Sequence, residues 1–283
     1  MALNSKRSEK FKIMEPYKTF NLSEKITQIS DPTGVSCFLI KGEKHAALID
    51  TGVGIAGLKE IVCKQTSLPV DVILTHGHVD HAGGAAAFEK AYLHPNDFSL
   101  AAKHSSMEMR MDYSRHVLPP KTYIDQKEFI QPMNSEFLPL EDGQIFDLGG
   151  ITLEIIHVPG HTSGSVCILF REERAMLYGD ACNINTLILD DSSITEYYNS
   201  LLKLQKWDNT YDKAYFSHGP AIGPRQCLAD NIELCQKIMT GTDDAIPFEF
   251  MGIKAFRAAE TDNNYCRLDG KFGNIVYTQN NVR

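Results

Sequence analysis

The chain has 283 residues, of which 43% are hydrophobic and 23% charged, so it is long enough for one large domain or two small ones of ordinary globular composition. Its net charge of −8 weighs against a nucleic-acid partner, because such proteins usually carry a basic surface. No window contains the roughly 18 uninterrupted apolar residues of a membrane span, and the first residues, MALNSKRSEKFKIMEPY, lack the apolar core of a secretory signal.

The first half of the chain alternates segments that favour strands with segments that favour helices. Its predicted elements are strands at 35–42 and 45–52, a helix at 57–65, a buried strand at 70–75 and a helix at 82–91. Residues 96–135 combine a helical stretch with the irregular VLPPKTYIDQ and are interpreted as an insertion.

The second half continues with strands at 144–148, 151–158, 165–170, 175–179 and 213–217, and with helices at 193–206 and 224–239. The tail NYCRLDGKFGNIVYT predicts a hairpin with Asp269 and Gly270 as its turn. The order is neither a regular βαβ alternation nor an all-β meander, which favours sheet layers covered by helices. We therefore predict an N-terminal extension at 1–20 and a single domain at 21–283, with the insertion near 96–135 and a C-terminal hairpin segment at 240–283.

The cysteines are odd in number and scattered, with no CxxC pair among them: Cys37, Cys63, Cys167, Cys182, Cys227, Cys235 and Cys266. Such a set is typical of reduced thiols rather than of a disulfide framework, so it predicts a cytoplasmic protein. Nothing in the sequence indicates an oligomeric state.

The segment THGHVDHAGG concentrates metal-ligating side chains directly after the strand predicted at 70–75. Three histidines and an aspartate fall within six positions, a pattern whose chance occurrence in this composition is on the order of one in a thousand. Imidazoles at His76 and His78 can converge on one ion, while Asp80 and His81 point to a neighbouring position. Imidazole and carboxylate together favour Zn²⁺, with Fe or Mn as alternatives. A set of surface histidines in a loop is the competing interpretation.

This segment resembles the signature of metallo-β-lactamase-fold hydrolases, the superfamily of glyoxalase II-like and lactonase-like members. That family places further metal-site residues in a fixed order along the chain. Here LIDTG supplies Asp50, HVPGHTSGS supplies His161, MLYGDA supplies Asp180 and YFSHGP supplies His218. The resemblance implies a mixed α/β (α+β) fold, a four-layer αββα sandwich with a two-metal site along one edge of its sheets.

The resemblance also implies a role for each residue. His76, His78 and His161 would hold the first of two divalent ions. Asp80, His81 and His218 would hold the second, and Asp180 would bridge the two. Asp50 would orient the ligand loop, since ligating histidines need outer partners.

Two positions separate this chain from branches of the family. Position 78 is His rather than the Glu of the di-iron oxygen-reducing branch, and position 180 is Asp rather than the Cys of many antibiotic-degrading members. The resemblance thus implies a binuclear zinc hydrolase in which a metal-bridging hydroxide attacks a small-molecule ester, thioester, lactone or amide. Asp80 or Asp180 would accept the proton of the attacking water.

Three other functions stay open at this point. A phosphodiesterase of the same fold would use the same ligands, although the acidic charge of the chain counts against phosphate-backbone binding. A sulfur oxidoreductase with one iron would also keep these residues, and metal analysis separates it. A non-catalytic scaffold is disfavoured by the complete ligand set.

The insertion offers candidates for the substrate pocket, with core or lid packing as the competing interpretation. These candidates are Met107, Met109, Met111, Tyr113, His116 and Tyr123.

Overall fold

The computed structural model describes residues 17–132, 137–189 and 192–283. Most of the predicted N-terminal extension, residues 1–16, lies outside this range, as does the end of the predicted insertion at 133–136. The first strand begins at Lys18, within the predicted extension.

Seven strands form the first sheet, in which the spatial order equals the chain order. They are β1 (Lys18–Asn21), β2 (Ile26–Ser30), β3 (Ser36–Lys41), β4 (Ala46–Ile49), β5 (Val70–Ile73), β6 (Ala91–Leu93) and β7 (Phe137–Pro139).

The later strands divide between two further sheets. They are β8 (Ile145–Asp147), β9 (Thr152–His157), β10 (Val166–Phe170), β11 (Ala175–Leu177), β12 (Thr186–Ile188), β13 (Lys213–Tyr215), β14 (Ile222–Gly223), β15 (Ile246–Phe250), β16 (Ile253–Arg257) and β17 (Ile275–Tyr277). The second sheet has the order β14-β13-β11-β10-β9-β8, and the third has the order β12-β17-β16-β15.

The α-helices of the described residues are α1 (Leu58–Gln65), α2 (Val79–Ala82), α3 (Phe98–His104), α4 (Met107–Val117), α5 (Ile194–Gln205) and α6 (Cys227–Thr240). None of these helices is long and apolar enough to cross a membrane.

Alternate residues of the central strands face different apolar cores, which explains the layering. In β3, Phe38 and Ile40 pack against the second sheet, whereas Cys37 and Leu39 pack on the side of α1. In β10, the even-numbered residues face the first sheet and the odd-numbered apolar residues face α5 and α6. A strand that is buried on both faces needs a layer on each side. The predicted four-layer αββα sandwich is therefore confirmed.

Parallel pairing brings the chemically important loops to one edge of the sandwich. β4, β5 and β6 are parallel neighbours in the first sheet, and β11 and β13 are parallel in the second. The carboxyl ends of parallel neighbours meet at the same edge, where open α/β sheets bind their ligands. A hydrogen bond from the Ser36 amide to the Ser217 carbonyl, 2.8 Å long, joins the two sheets beside this edge.

The predicted helix at 82–91 is wrong, because α2 ends at Ala82 and only a short 3₁₀ turn follows at 85–87. Gly83 and Gly84 pack against backbone here: an added Cβ would lie 2.3 Å from the Val79 carbonyl oxygen at the first and 2.2 Å from the Thr51 carbonyl oxygen at the second. The Thr51 hydroxyl also accepts from the Gly84 amide. Close packing onto the Thr51 loop therefore ends the helix early.

The C-terminal segment contains a hairpin, but it lies at a different position in the chain from the predicted one. It consists of β15 and β16, joined by Met251 and Gly252 with φ of 48° and 81°, the two positive values that tight hairpin turns require. Asp269 and Gly270 do lie in a turn, but the flanking Arg267 makes only an isolated bridge with Thr261. The described part of the predicted insertion contains two α-helices, α3 and α4, rather than one.

Candidate metal centre

Three histidines from two loops converge at the edge of the sandwich. His76 and His78 follow β5, and His161 lies in the loop between β9 and β10. One ring nitrogen of each lies within 4.8 Å of the other two, and His78 Nδ1 lies 2.8 Å from His161 Nε2. We call these residues the three-histidine group. The Leu187 carbonyl lies 2.7 Å from His161 Nδ1, so this nitrogen donates and Nε2 keeps its lone pair.

His76 has a ring nitrogen that lacks a protein partner. Its Nδ1 lies 3.1 Å from the Thr75 hydroxyl, but its Nε2 is buried and has no hydrogen-bond partner within the described part of the chain. Burial, together with His81, His161 and His78 nearby, holds the pKa of His76 well below its usual value. The ring is therefore neutral and offers a buried lone pair, as a metal ligand must.

A second group combines two imidazoles with a carboxylate. Asp80 and His81 lie in α2, and His218 follows β13. His218 Nε2 lies 3.3 Å from both Asp80 Oδ2 and His81 Nε2. We call these residues the mixed group.

Asp180, just after β11, lies between the two groups. Its Oδ2 is 3.2 Å from His218 Nε2, 3.6 Å from His81 Nε2 and 3.7 Å from His161 Nε2. One carboxylate oxygen is thus close to both groups, a position from which it could be shared by two ions. The structure brings together all seven side chains that the sequence singled out as ligands.

The carboxylates give the mixed group a strong preference for positive charge. Burial alone would lower the pKa of His81, but Asp80, Asp50 and Asp180 outweigh it and raise this pKa well above its usual value. Asp180 and Asp80 likewise raise the pKa of His218 to about 10 against burial. The same interactions, led by His218 for Asp180, lower the pKa of both carboxyls despite burial. The pocket is thus built to stabilise a cation, whether proton or metal.

Asp50 orients His81 of the mixed group through a hydrogen bond to its Nδ1. It is fully buried after β4 with φ of 61°, and its carboxylate accepts from the Thr75 amide at 2.7 Å and from His81 Nδ1 at 2.8 Å. Because Nδ1 donates to Asp50, Nε2 is the ring nitrogen of His81 that faces the site, where a proton or a metal ion can bind. This is the contact that the predicted orienting role of Asp50 requires.

Tyr113, on α4, forms a hydrogen bond with a residue of the mixed group. Its hydroxyl donates to Asp80 Oδ2 at 2.7 Å from α4, and its ring packs with a small apolar cluster around Val53, Val79 and Phe129. Burial and the neighbouring Asp80 raise its pKa well above the usual value, so the hydroxyl keeps its proton. The sequence named Tyr113 only as one of several pocket candidates.

Asp97 was missed by the sequence analysis, although it lies between the loops of the three-histidine group. Its carboxylate accepts from the Gly77 and Gly164 amides and from the Thr162 hydroxyl. The place of Asp97 in the chain could have indicated its role, because Asp97 follows β6, the parallel neighbour of β5. Polar residues after adjacent parallel strands meet at one edge of a sheet.

A cavity of about 670 Å³ opens beside β12 and the β15–β16 hairpin. Leu189, which lines it, follows Leu187 by two residues, and the Leu187 carbonyl is the one that holds His161. Lys254 and Thr278 contribute polar groups to the wall. The cavity is large enough for a small molecule, and its lining contains none of the candidate metal ligands.

Comparison with known proteins connects this architecture to a family. Residues 30–218, about two thirds of the chain, match the family model described as the metallo-beta-lactamase superfamily. The solved structure of a metallo-beta-lactamase from Pontibacter korlensis aligns with 78% of this chain and 99% of its own, with a TM-score of 0.59 and 18% identity, and so shares the fold.

Two curated relatives are similar over part of their length. Acyl-coenzyme A thioesterase MBLAC2 of Bos taurus is 27% identical over 183 residues, which cover 59% of this chain and 66% of the relative. The atrochrysone carboxyl ACP thioesterase dmxR1 of Cryptosporiopsis sp. is 27% identical over 68% of this chain and 51% of its own. The chain thus spans less than two thirds of the first relative and about half of the second. On the match of the family model, which contains every candidate ligand from His76 to His218, the chain belongs to the metallo-beta-lactamase superfamily.

Proposed function

We propose that this protein is a metal-dependent hydrolase that cleaves small-molecule thioesters at a centre of two divalent ions. The convergence of seven ligand-type side chains into two groups, with Asp180 between them, carries the proposal. The buried Nε2 of His76 fits a cation in particular, because no group of the described residues forms a hydrogen bond with it.

The two groups divide the ligands between the ions. The three-histidine group would hold one ion and the mixed group the other, with Asp180 shared. Five imidazoles and two carboxylates make a donor set that suits Zn²⁺, with Fe and Mn as alternatives. We further propose a cytoplasmic location, which the seven free cysteines support.

The bound ions would supply Lewis acidity and lower the pKa of an attacking water toward neutrality. The protein contributes the proton acceptor, and the carboxylates of the buried Asp80 and the partly buried Asp180 are the candidates because both border the site and are ionised. Tyr113 holds Asp80 through its hydroxyl and so restricts the carboxylate to one orientation. Asp50 does the same for His81.

Thioesters are the favoured substrate class because both relatives described above are named thioesterases, one for acyl-coenzyme A and one for an acyl carrier protein. The cavity beside Leu189 would be a site for the thiol carrier, since Leu189 is two residues from the Leu187 carbonyl that contacts His161. Esters, lactones and amides would place the same acyl carbon at the site and form the comparison set.

The test is elemental analysis of the purified protein, run beside a panel of acyl-coenzyme A, lactone, aryl ester and phosphodiester substrates. We expect about two zinc ions per chain and thioester hydrolysis that a chelator abolishes and added Zn²⁺ restores. Protein without transition metal and without turnover would overturn the proposal. One iron per chain without hydrolysis would favour a sulfur oxidoreductase instead, and cleavage of the phosphodiester alone would favour a phosphodiesterase.

A Tyr113→Phe variant should bind the ion of the mixed group about tenfold more weakly, because partners of metal ligands contribute at least this much. The phenyl ring keeps its packing, whereas the hydroxyl that holds Asp80 is lost. Chelator competition measures the change. Tyr123→Phe, at a residue 53% exposed in the same insertion, is the control and should bind both ions as the parent does. Equal affinity in Tyr113→Phe and the parent would show that the hydroxyl does not support Asp80.

A Lys254→Ala variant should raise KM for an acyl-coenzyme A about fivefold, since an ammonium group in the cavity wall pairs with the phosphates of the carrier. The KM for an uncharged thioester should not change. Lys44→Ala, at an exposed lysine near the amino end of β4, is the matched control. A parallel rise of KM for both substrates would place the carrier elsewhere.

A further inference from the structure

Asp97 is a buried carboxylate that joins two separate loops. It is 1% exposed, and its Oδ2 accepts from the Gly77 amide at 2.8 Å and from the Thr162 hydroxyl at 2.7 Å. Its Oδ1 accepts from the Gly164 amide at 2.7 Å. Within the described residues no lysine or arginine forms an ion pair with it, so these donors are what stabilises its charge.

The two loops are shaped to fit around Asp97. A Cβ added at Gly164 would lie 2.5 Å from Asp97 Cγ, and one added at Gly77 would lie 2.9 Å from the Asp97 carbonyl oxygen. Real Cβ atoms do not approach this closely. Glycine at both positions therefore allows the backbones to reach the carboxylate, which makes the contact a specific feature of the loops.

Each loop carries ligands of the same proposed ion. Gly77 lies between His76 and His78, while Thr162 and Gly164 follow His161. Asp97 makes no hydrogen bond to the mixed group. Its contacts thus hold the two halves of the three-histidine group at a fixed separation.

We infer that Asp97 is a positioning residue that sets the geometry of the three-histidine group and so the affinity of its ion. The inference rests on the proposed metal centre. Without the carboxylate, two buried amides and a hydroxyl lose their acceptor, and the ion has to bring the loops together as it binds. The free-energy cost of bringing the loops together lowers the metal affinity of the three-histidine group alone.

The Asp97→Asn variant tests this inference with little change in side-chain size. The amide of asparagine keeps one acceptor oxygen, but its NH₂ group replaces the other oxygen and faces a hydrogen-bond donor. Metal affinity is measured by chelator competition with Zn²⁺, and the environment by the absorption of bound Co²⁺. A His218→Ala background isolates the three-histidine group, and a His78→Ala background isolates the mixed group. We expect Asp97→Asn to weaken the ion 10- to 100-fold in the first background and to change nothing in the second.

Asp230→Asn is the matched control. Asp230 is also buried, 9% exposed, and accepts from the Phe272 and Gly273 amides at 2.7 and 3.1 Å, but it lies on α6 away from the ligand loops. This variant should lose stability and keep both metal affinities. Should Asp97→Asn not fold, Thr162→Val removes the hydroxyl that bonds Asp97 and Ser165, leaves both amide donors to Asp97 in place, and should weaken the same ion by a smaller factor.

The outcomes distinguish a failure of the proposed metal centre from a failure of the role of Asp97. A parent protein that binds no transition metal overturns the proposed function itself. If the parent binds two ions and Asp97→Asn leaves the metal affinity of the three-histidine group unchanged, only the role of Asp97 is overturned. Equal metal loss in Asp97→Asn and Asp230→Asn would also overturn it, since it would reflect general destabilisation.

Discussion

A His76→Ala variant is expected to lose the ion of the three-histidine group and to hydrolyse thioesters about a thousandfold more slowly than the parent, or worse. His76 is central to the site because its Nε2 is buried without a hydrogen-bond partner in ranges 17–132, 137–189 and 192–283, and its ring lies against those of His78, His81 and His161. A catalytic ion contributes several kcal/mol of transition-state stabilisation, and each 1.4 kcal/mol is about tenfold in rate.

The measurement combines metal content with kcat/KM for an acyl-coenzyme A, after the far-ultraviolet circular dichroism has shown that the variant is folded. His45→Ala is the control, because the His45 side chain is about half exposed and pairs with Asp71 at the surface. It should keep two ions and full activity. A His76→Ala protein that keeps both ions and its turnover would contradict the assignment of the metal centre.

The second large effect is expected in stability. An Asp50→Asn variant should lower the free energy of unfolding of the metal-free protein by about 3 kcal/mol or more, which is typical when one partner of a buried ion pair is removed. Asp50 and His81 are both fully buried, and Asp50 also accepts from the Thr75 amide and hydroxyl. Asparagine tolerates the φ of 61° at this position, so the loss reports on the carboxylate and not on the backbone.

Urea unfolding of the metal-free protein measures this loss, and chelator competition should show a 10- to 100-fold weaker ion in the mixed group. Asp212→Asn serves as the control, since it breaks an exposed ion pair with Arg174 and should leave metal affinity and urea midpoint unchanged. An Asp50→Asn protein as stable as the parent would show that the buried pair is not needed for folding.

The sequence predicted the elements with strong apolar patterns and missed those without them. β3, β5, β9 and β10, with helices α5 and α6, lie within two or three residues of their predicted bounds. β6 and β12 have three residues each, too few for a periodic signal. β15 alternates between intermediate and exposed residues, so this strand has no buried run to indicate it.

The candidate site was predictable as far as its residues form a motif. His76, His78, Asp80 and His81 are contiguous, and the remaining ligands stand at strand ends in a known order. Asp97 and Tyr113 have no such motif. Their contacts depend on which strands are neighbours in space and on how α4 crosses α2, and neither follows from spacing along the chain.

The two sheets contribute ligands in nearly equal measure. The first sheet and its loops supply His76, His78, Asp80 and His81, and the second supplies His161, Asp180 and His218. During folding, a chain that has formed only its first sheet therefore lacks part of each ligand group. If the proposed centre holds two ions, binding both would require the two halves to dock, so added metal would shift the equilibrium toward the docked state and would be captured late, after the long-range contacts between sheets have formed.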